Sequence, residues 1–340
     1  MTPRIRGWYT SGYPAKRPID SHRWVFGFMT FGEAIEKFSK WRAFKVKSST
    51  TKGYDLILKQ FCLYVRNCEI ESVRLEDVIS WFTLLKTLQW QHNSFITKAQ
   101  ALRKFFEFYK MQGFLVLEPN LIPLPSKEYK IPRVASEENY RKLLAAIPGG
   151  NDPRHIRNKA ITMLLWDSGA RNGEIVALDA DEIDTEKMHA VIKTEKSKGR
   201  RPFREIFWTE ETNNALKVWL SKREVLKMTK MPHMESCLFP CICSSGSLGL
   251  SGKRMTNKGV AEFLRRYSNR AGIPYQNAHS FRHHMGHDII SQGGSAADVM
   301  NILGHASLAS SSIYTMMTGK ELEERYKMFK VKIPKTKIEK

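Results

Sequence analysis

Acidic residues are scarce in this chain: 34 Asp plus Glu stand against 55 Lys plus Arg, a formal charge of +21 over 340 residues. Such a deficit calls for a polyanionic partner, because phosphates neutralised by Lys and Arg release their counterions on binding. Long apolar runs are also missing, so no membrane-spanning helix is expected. Arg4 and Arg6 are followed by no apolar core of signal-peptide type, which points to a cytoplasmic location. An anionic membrane surface as partner requires a basic amphipathic helix or a lipidation signal, and neither is evident, so nucleic acid leads. Cysteine is sparse and uneven (Cys62, Cys68, Cys237, Cys241, Cys243), which excludes the disulfide framework of a small secreted domain. No Gly-Ser or Pro-rich tract indicates long disorder, and no repeat of solenoid period is present. What is there is 42% hydrophobic content, enough for real cores, in a length that favours two domains.

Residues 1–28 read as a basic arm, with Arg4, Arg6, Lys16, Arg17 and Arg23 opposed by Asp20 alone. Thr30 and Glu33 form a capping box, after which Phe31, Ile35, Phe38 and Trp41 recur at helical spacing. Three further helices are expected: one from about residue 49, burying Tyr54, Ile57, Leu58, Phe61 and Val65; one over residues 75–88; and one from residue 93 or 94. The last turns Ala101, Leu102, Phe105, Phe106 and Tyr109 inward and stops at Gly113. Residues 29–113 thus make an all-helical domain. Pro119, Pro123, Pro125 and Pro132 mark residues 114–134 as a linker, residues 135–332 as the second domain and residues 333–340 as a basic tail. In the second domain a buried helix ends at Gly169, and residues 188–192 and 203–208 read as a hairpin with a basic tip between them. Helices follow from about residue 211.

The chemistry-bearing residues are concentrated in residues 277–315, NAHSFRHHMGHDIISQGGSAADVMNILGHASLASSSIYT. His279 and Arg282 stand three apart, the spacing of one helix face, and a Gly304-His305 pair precedes Tyr314. A cation, imidazoles and a phenol suit phosphate chemistry: cleavage of a phosphodiester needs a nucleophile, donors to the non-bridging oxygens and an acid for the leaving oxygen. His233, Cys237, Cys241 and Cys243 are four potential metal ligands, but their spacing departs from common zinc signatures and no metal is assigned to them.

This stretch resembles the C-terminal signature of the tyrosine site-specific recombinases, the Xer, Cre and phage integrase family, in which HxLRHxxA is followed by LGH and then by a Ser- and Thr-rich step into IYT. GARNGEI around Arg171 resembles the TGLRxSEL box of the same family, and Ser197-Lys198-Gly199 resembles its SKTG hairpin tip. The resemblance implies that Arg171 and Arg282 clamp the phosphate, where a guanidinium offers two parallel donors. It makes Glu174 the acid that orients Arg171 or a neighbouring imidazole, and Lys198 the general acid with Lys196 in reserve. His279 becomes a hydrogen-bond partner or proton acceptor, His305 a donor to a non-bridging oxygen and Tyr314 the nucleophile.

The implied fold is mainly α with a small β-hairpin or sheet: a SAM-like four-helix domain and an α+β catalytic domain forming a C-shaped clamp on double-stranded DNA. Lys52, Lys98 and Arg103 would be DNA contacts of the helical domain. The implied reaction is site-specific recombination through a 3′-phosphotyrosyl link and a Holliday junction, by four protomers, with no cofactor, metal or ATP. Residues 320–329, with Leu322, Tyr326 and Phe329 in an apolar stripe, would dock on a neighbouring protomer. No arm-binding domain precedes Thr30, which favours a simple Xer-like or Cre-like enzyme. The alternatives are a type IB topoisomerase and a non-catalytic DNA-binding relative; the first is opposed by the SAM-like domain, the second by the completeness of the set.

Overall fold

A computed structural model of the chain describes residues 28–46, 48–128, 133–194, 202–230, 236–242 and 250–305. It divides into two compact units, residues 1–130 and 131–340.

In the first unit, α1 (Phe31–Ala43) opens on the expected capping box: the Glu33 amide donates to Thr30 Oγ1, and the Thr30 amide donates to Glu33. It is followed by α2 (Ser48–Tyr64), α3 (Leu75–Thr87) and α4 (His92–Lys110). Aromatic rings fill the space between them. Phe31 stacks on Phe105 at 4.7 Å between centroids and meets Phe61 edge-on at 5.4 Å. Buried Tyr109 satisfies its hydroxyl by donating to the Ala34 carbonyl at 2.7 Å, so the last helix is tied to the first. After α4 the chain runs extended apart from one 3₁₀ turn (Pro119–Leu121), and Leu117, Pro119 and Ile122 are buried against the same core. Prolines prevent a helix here, yet the segment still packs.

The second unit contains α5 (Glu137–Ala146), α6 (Pro153–Ser168) and α7 (Asn172–Ala177), then a three-stranded antiparallel sheet of β1 (Ile183–Asp184), β2 (His189–Lys193) and β3 (Phe203–Phe207). The β2–β3 register pairs Ile192 with Arg204 and Lys193 with Phe203. Next come α8 (Glu210–Lys230), a second hairpin of β4 (Pro240–Ile242) and β5 (Leu250–Arg254), and the helices α9 (Asn257–Arg270), α10 (Ala278–Ser291) and α11 (Ala296–Leu303). Leu164, Leu165, Ile175, Trp219, Phe239 and Phe281 form the centre of its core. Trp166 of α6 lies between Tyr140 of α5 (4.0 Å, 5° between planes) and His284 of α10 (4.1 Å, 21°), a three-ring stack that seats α10 on α6. β1 and β5 are additions to the expected elements, whereas β4 starts at the end of Leu238-Phe239-Pro240, a run that resembles a strand of the recombinase family; β1, of two residues, is too short for alternation to register.

Candidate active site

α7 has six residues and cannot be stable alone; both of its ends are fastened. Arg171 stands at the N-cap, where its backbone N–H donates to Glu174 Oε2 at 2.9 Å and its Nη1 donates to Oε1 at 2.7 Å. At the other end Arg254 Nη1 donates to the carbonyls of Val176, Ala177 and Leu178, and its Nη2 donates to Asp179. Arg171 is thereby set on a short, fixed element directly after Gly169, whose left-handed φ of +54° turns the chain out of α6.

The Glu174 side chain has 0% exposure and a second cationic partner, Arg204 of β3, whose Nη2 donates to Oε2 at 3.0 Å. Burial alone would raise the Glu174 carboxyl, but Arg204 and then Arg171 outweigh it and hold it below the ordinary carboxylate range. Arg204 also reaches α11: its Nη1 donates to the Ile302 carbonyl at 2.8 Å.

Arg282 of α10 is 3% exposed and is solvated by main chain, Nη1 donating to the Gly169 carbonyl at 2.8 Å and Nη2 to the Leu303 carbonyl at 2.5 Å. His305 follows Gly304, whose φ of +66° closes α11, and the His305 amide donates to the Met300 carbonyl at 3.0 Å. Burial, then the charges of Arg282, Arg171 and Arg204, push the His305 imidazole down to about 3. It is therefore neutral at physiological pH and has one N–H to donate. His283 is pushed down to about 4, first by burial and then by His279 and Arg282. His279 is exposed at the start of α10, its ring 6.0 Å from that of His283.

Arg171, Glu174, Arg282 and His305, drawn from separate stretches of sequence, are thus brought together, and Arg204 joins them. Three guanidiniums and one carboxylate leave a surplus of two positive charges in this named set, with exposures of only 14% for Arg171 and 6% for Arg204. Concentrated charge in a partly dry site is an electrostatic trap for a phosphate. Arg204 was not anticipated from sequence. Its signal was its phase in the strand: it stands two and four residues before buried Ile206 and Trp208, on the same face, which places a cation inward.

Lys198, its reserve Lys196, and Tyr314 lie outside the described residues, as do His233 and Cys243. Cys237 is fully buried, and Cys241 Sγ lies 3.7 Å from the Arg254 carbonyl. No group of three metal-binding side chains occurs among the described residues.

The expected DNA contacts of the first unit separate. Lys52 is exposed near the start of α2, in its second turn. Lys98 is 3% exposed, with Nζ donating to Gln60 Oε1 at 3.1 Å and lying 4.0 Å from the Trp90 ring centre; burial lowers its pKa. It is a core residue of this unit rather than a surface cation. Arg103 Nε donates to the Ile122 carbonyl at 2.9 Å and so pins the segment after α4.

The model of the phage integrase family matches residues 133–321, more than half of the chain. The chain belongs to the phage integrase family. This is the tyrosine recombinase group whose motifs the two halves of the site resemble. Among phage integrase relatives, the tyrosine recombinase XerC of Roseiflexus sp. strain RS-1 is 27% identical over 274 residues, covering 79% of this chain and 83% of that protein. The tyrosine recombinase XerD of Rickettsia conorii is 26% identical over 265 residues, covering 74% and 82%. In fold, the chain is similar to the Tn1549 transposon integrase in complex with a circular intermediate DNA (TM-score 0.67, 16% identity, 88% of this chain and 99% of that one). It is also similar to the XerH site-specific recombinase bound to a palindromic difH substrate (TM-score 0.65, 21% identity, 88% and 85%). The mainly helical phage integrase fold with small sheets is therefore the fold of this chain. No helix among the described residues is long and apolar enough to cross a membrane.

Proposed function

We propose that this protein is a site-specific DNA recombinase that cleaves and rejoins double-stranded DNA through a tyrosine. Membership of the phage integrase family and the cationic cluster support this reading. The observation that carries it is the pairing of Arg171 and Arg204 on the buried Glu174 carboxylate, with Arg282 anchored on the Gly169 and Leu303 carbonyls beside the turn that carries His305.

In the proposed reaction Tyr314 Oη attacks the scissile phosphorus, the bond from phosphorus to the 5′ oxygen breaks, and Lys198 donates a proton to the departing 5′ oxygen, which leaves as a 5′ hydroxyl. Arg171 and Arg282 hold the non-bridging oxygens, His305 donates to one of them, and exposed His279 accepts or relays a proton near the entering tyrosine. The 3′-phosphotyrosyl bond retains the energy of the broken linkage, so attack by a 5′ hydroxyl of a second duplex reseals the strand. Related structures include a lambda integrase tetramer bound to a Holliday junction; for this chain four copies are proposed to exchange strands in the same way. Residues 29–113 and 135–332 are proposed as the two DNA-gripping domains, with Lys52 a backbone contact, and the cell interior, on DNA, as the place of action.

The test is covalent capture. A nicked suicide duplex, selected by the protein from a randomised library, is incubated with the full chain and the products are separated under denaturing conditions. A protein–DNA adduct that disappears in Tyr314→Phe is expected, and one that survives the substitution refutes Tyr314. Joining of two separate duplexes into recombinants distinguishes recombination from topoisomerase-type relaxation.

A further inference from the structure

Arg204 is a cation in the inward phase of a strand, a position that in this sheet otherwise carries apolar side chains. It joins three pieces of the site that are remote in sequence. Nη2 holds Glu174, and through it Arg171 of α7; Nη1 holds the Ile302 carbonyl at the end of α11; its own backbone is part of the β2–β3 hairpin opposite Ile192. Its side chain also lies under Gly304: a Cβ built there would fall 2.5 Å from Arg204 Cδ and 3.0 Å from Nε. That nitrogen is buried and makes no hydrogen bond among the described residues, so the turn before His305 rests directly on the guanidinium stem.

We propose that Arg204 is a positioning residue: it fixes the separation and orientation of the Arg171 clamp and the His305 turn without itself holding the reacting phosphate. Both Nη groups of the flat fork are occupied by protein acceptors that face different elements. A lysine keeps the charge but has one ammonium, which cannot reproduce two donors at fixed spacing. The catalytic consequence rests on the recombinase reading above; the mechanical one does not.

The experiment therefore has two arms on the full chain, using Arg204→Lys and, as an independent displacement of the same stem, Gly304→Ala. In hydrogen exchange without DNA, amides of residues 299–305 are expected to exchange about tenfold faster in both variants, as for the loss of one tethering hydrogen bond, while residues 257–270 are unchanged. In single-turnover adduct formation on the selected nicked duplex, both variants are expected to fall about 100-fold, the cost of misplacing a catalytic group by about 1 Å. DNA affinity is expected to stay within about threefold, because Arg204 is not a DNA contact.

Wild-type exchange at residues 299–305 in the variants, or an unchanged adduct rate beside an active wild-type protein, overturns the proposal. So does a loss of affinity equal to the loss of rate, which would make Arg204 a DNA ligand. Collapse of the fold in both variants would overturn it as well, since Arg204 would then be a general stability element. Absence of any adduct with the wild-type protein removes the recombinase reading and leaves the exchange arm to decide the mechanical role.

Discussion

Replacing Glu174 by alanine removes the one carboxylate that pairs with Arg171 and Arg204 and leaves both guanidiniums facing each other across a dry gap. Three charged hydrogen bonds end on Glu174, at 2.7, 2.9 and 3.0 Å, and its side chain has 0% exposure. Removing one partner of a buried ion pair costs about 3–5 kcal/mol, because the remaining charges stay desolvated. For a unit of this size each kcal/mol corresponds to about 2–4 °C in unfolding midpoint, so a fall of about 10 °C is expected. The surplus in the named set rises from two positive charges to three, so an added anion should recover part of the loss. Calorimetry of the full chain with and without sulfate tests both points, the transition that sulfate moves being that of the second unit. Glu174→Gln is expected to lose less, since its amide oxygen still accepts one bond while its NH₂ opposes a guanidinium. A midpoint for Glu174→Ala within about 1 °C of wild type would refute the reasoning, as would equal sulfate stabilisation of the two proteins.

Further expectations concern pH, a glycine and two lysines. The folded pKa values of about 3 for His305 and about 4 for His283 lie below the ordinary 6.5, so the unfolded chain takes up protons first on acidification. Stability from these groups is level above pH 6.5 and falls as pH drops from 6.5 toward 4 and 3, measurable as a midpoint that declines between pH 7 and 5 and declines less in His305→Asn. Gly169→Ala places a Cβ 2.7 Å from Leu303 Cδ2 at a left-handed φ, which is expected to cost about 2–4 kcal/mol in denaturant unfolding. Lys98→Met is expected to leave stability equal or higher and DNA affinity unchanged, whereas Lys52→Ala is expected to reduce the slope of log K against log salt by about 1 in a binding titration.

Much of this molecule was legible from its pattern of residues, and the exceptions have a common cause. The α4 positions Ala101, Leu102, Phe105, Phe106 and Tyr109 are all buried, as their period required. Lys98 lies four before Leu102 and seven before Phe105, on that same face, and residue type outweighed phase in its assignment to the surface. Arg204, for which no role was expected from the sequence, follows the same rule in a strand. In both cases a long side chain carries its charge through an apolar layer to an acceptor beyond it, Gln60 or Glu174, a partner supplied only by tertiary structure. The assignments of Arg171, Glu174, Arg282 and His305 came from motif wording, and the proximity of these residues depends on main-chain acceptors such as the Gly169 and Leu303 carbonyls, which no side-chain motif records.

The ring stack of Tyr140, Trp166 and His284 gives the site an optical readout. Indole emission is quenched by a protonated imidazole in van der Waals contact, and burial already holds the His284 pKa below its ordinary value. While α10 stays seated, the lowered His284 pKa is expected to keep the Trp166 signal insensitive to mild acid. An event that lifts α10, and with it Arg282, off α6 separates the His284 ring from Trp166 and lets water reach the indole. A chain in which the other tryptophans are replaced by phenylalanine would then report the seating of the phosphate clamp in real time, as a change in fluorescence lifetime, with no label attached.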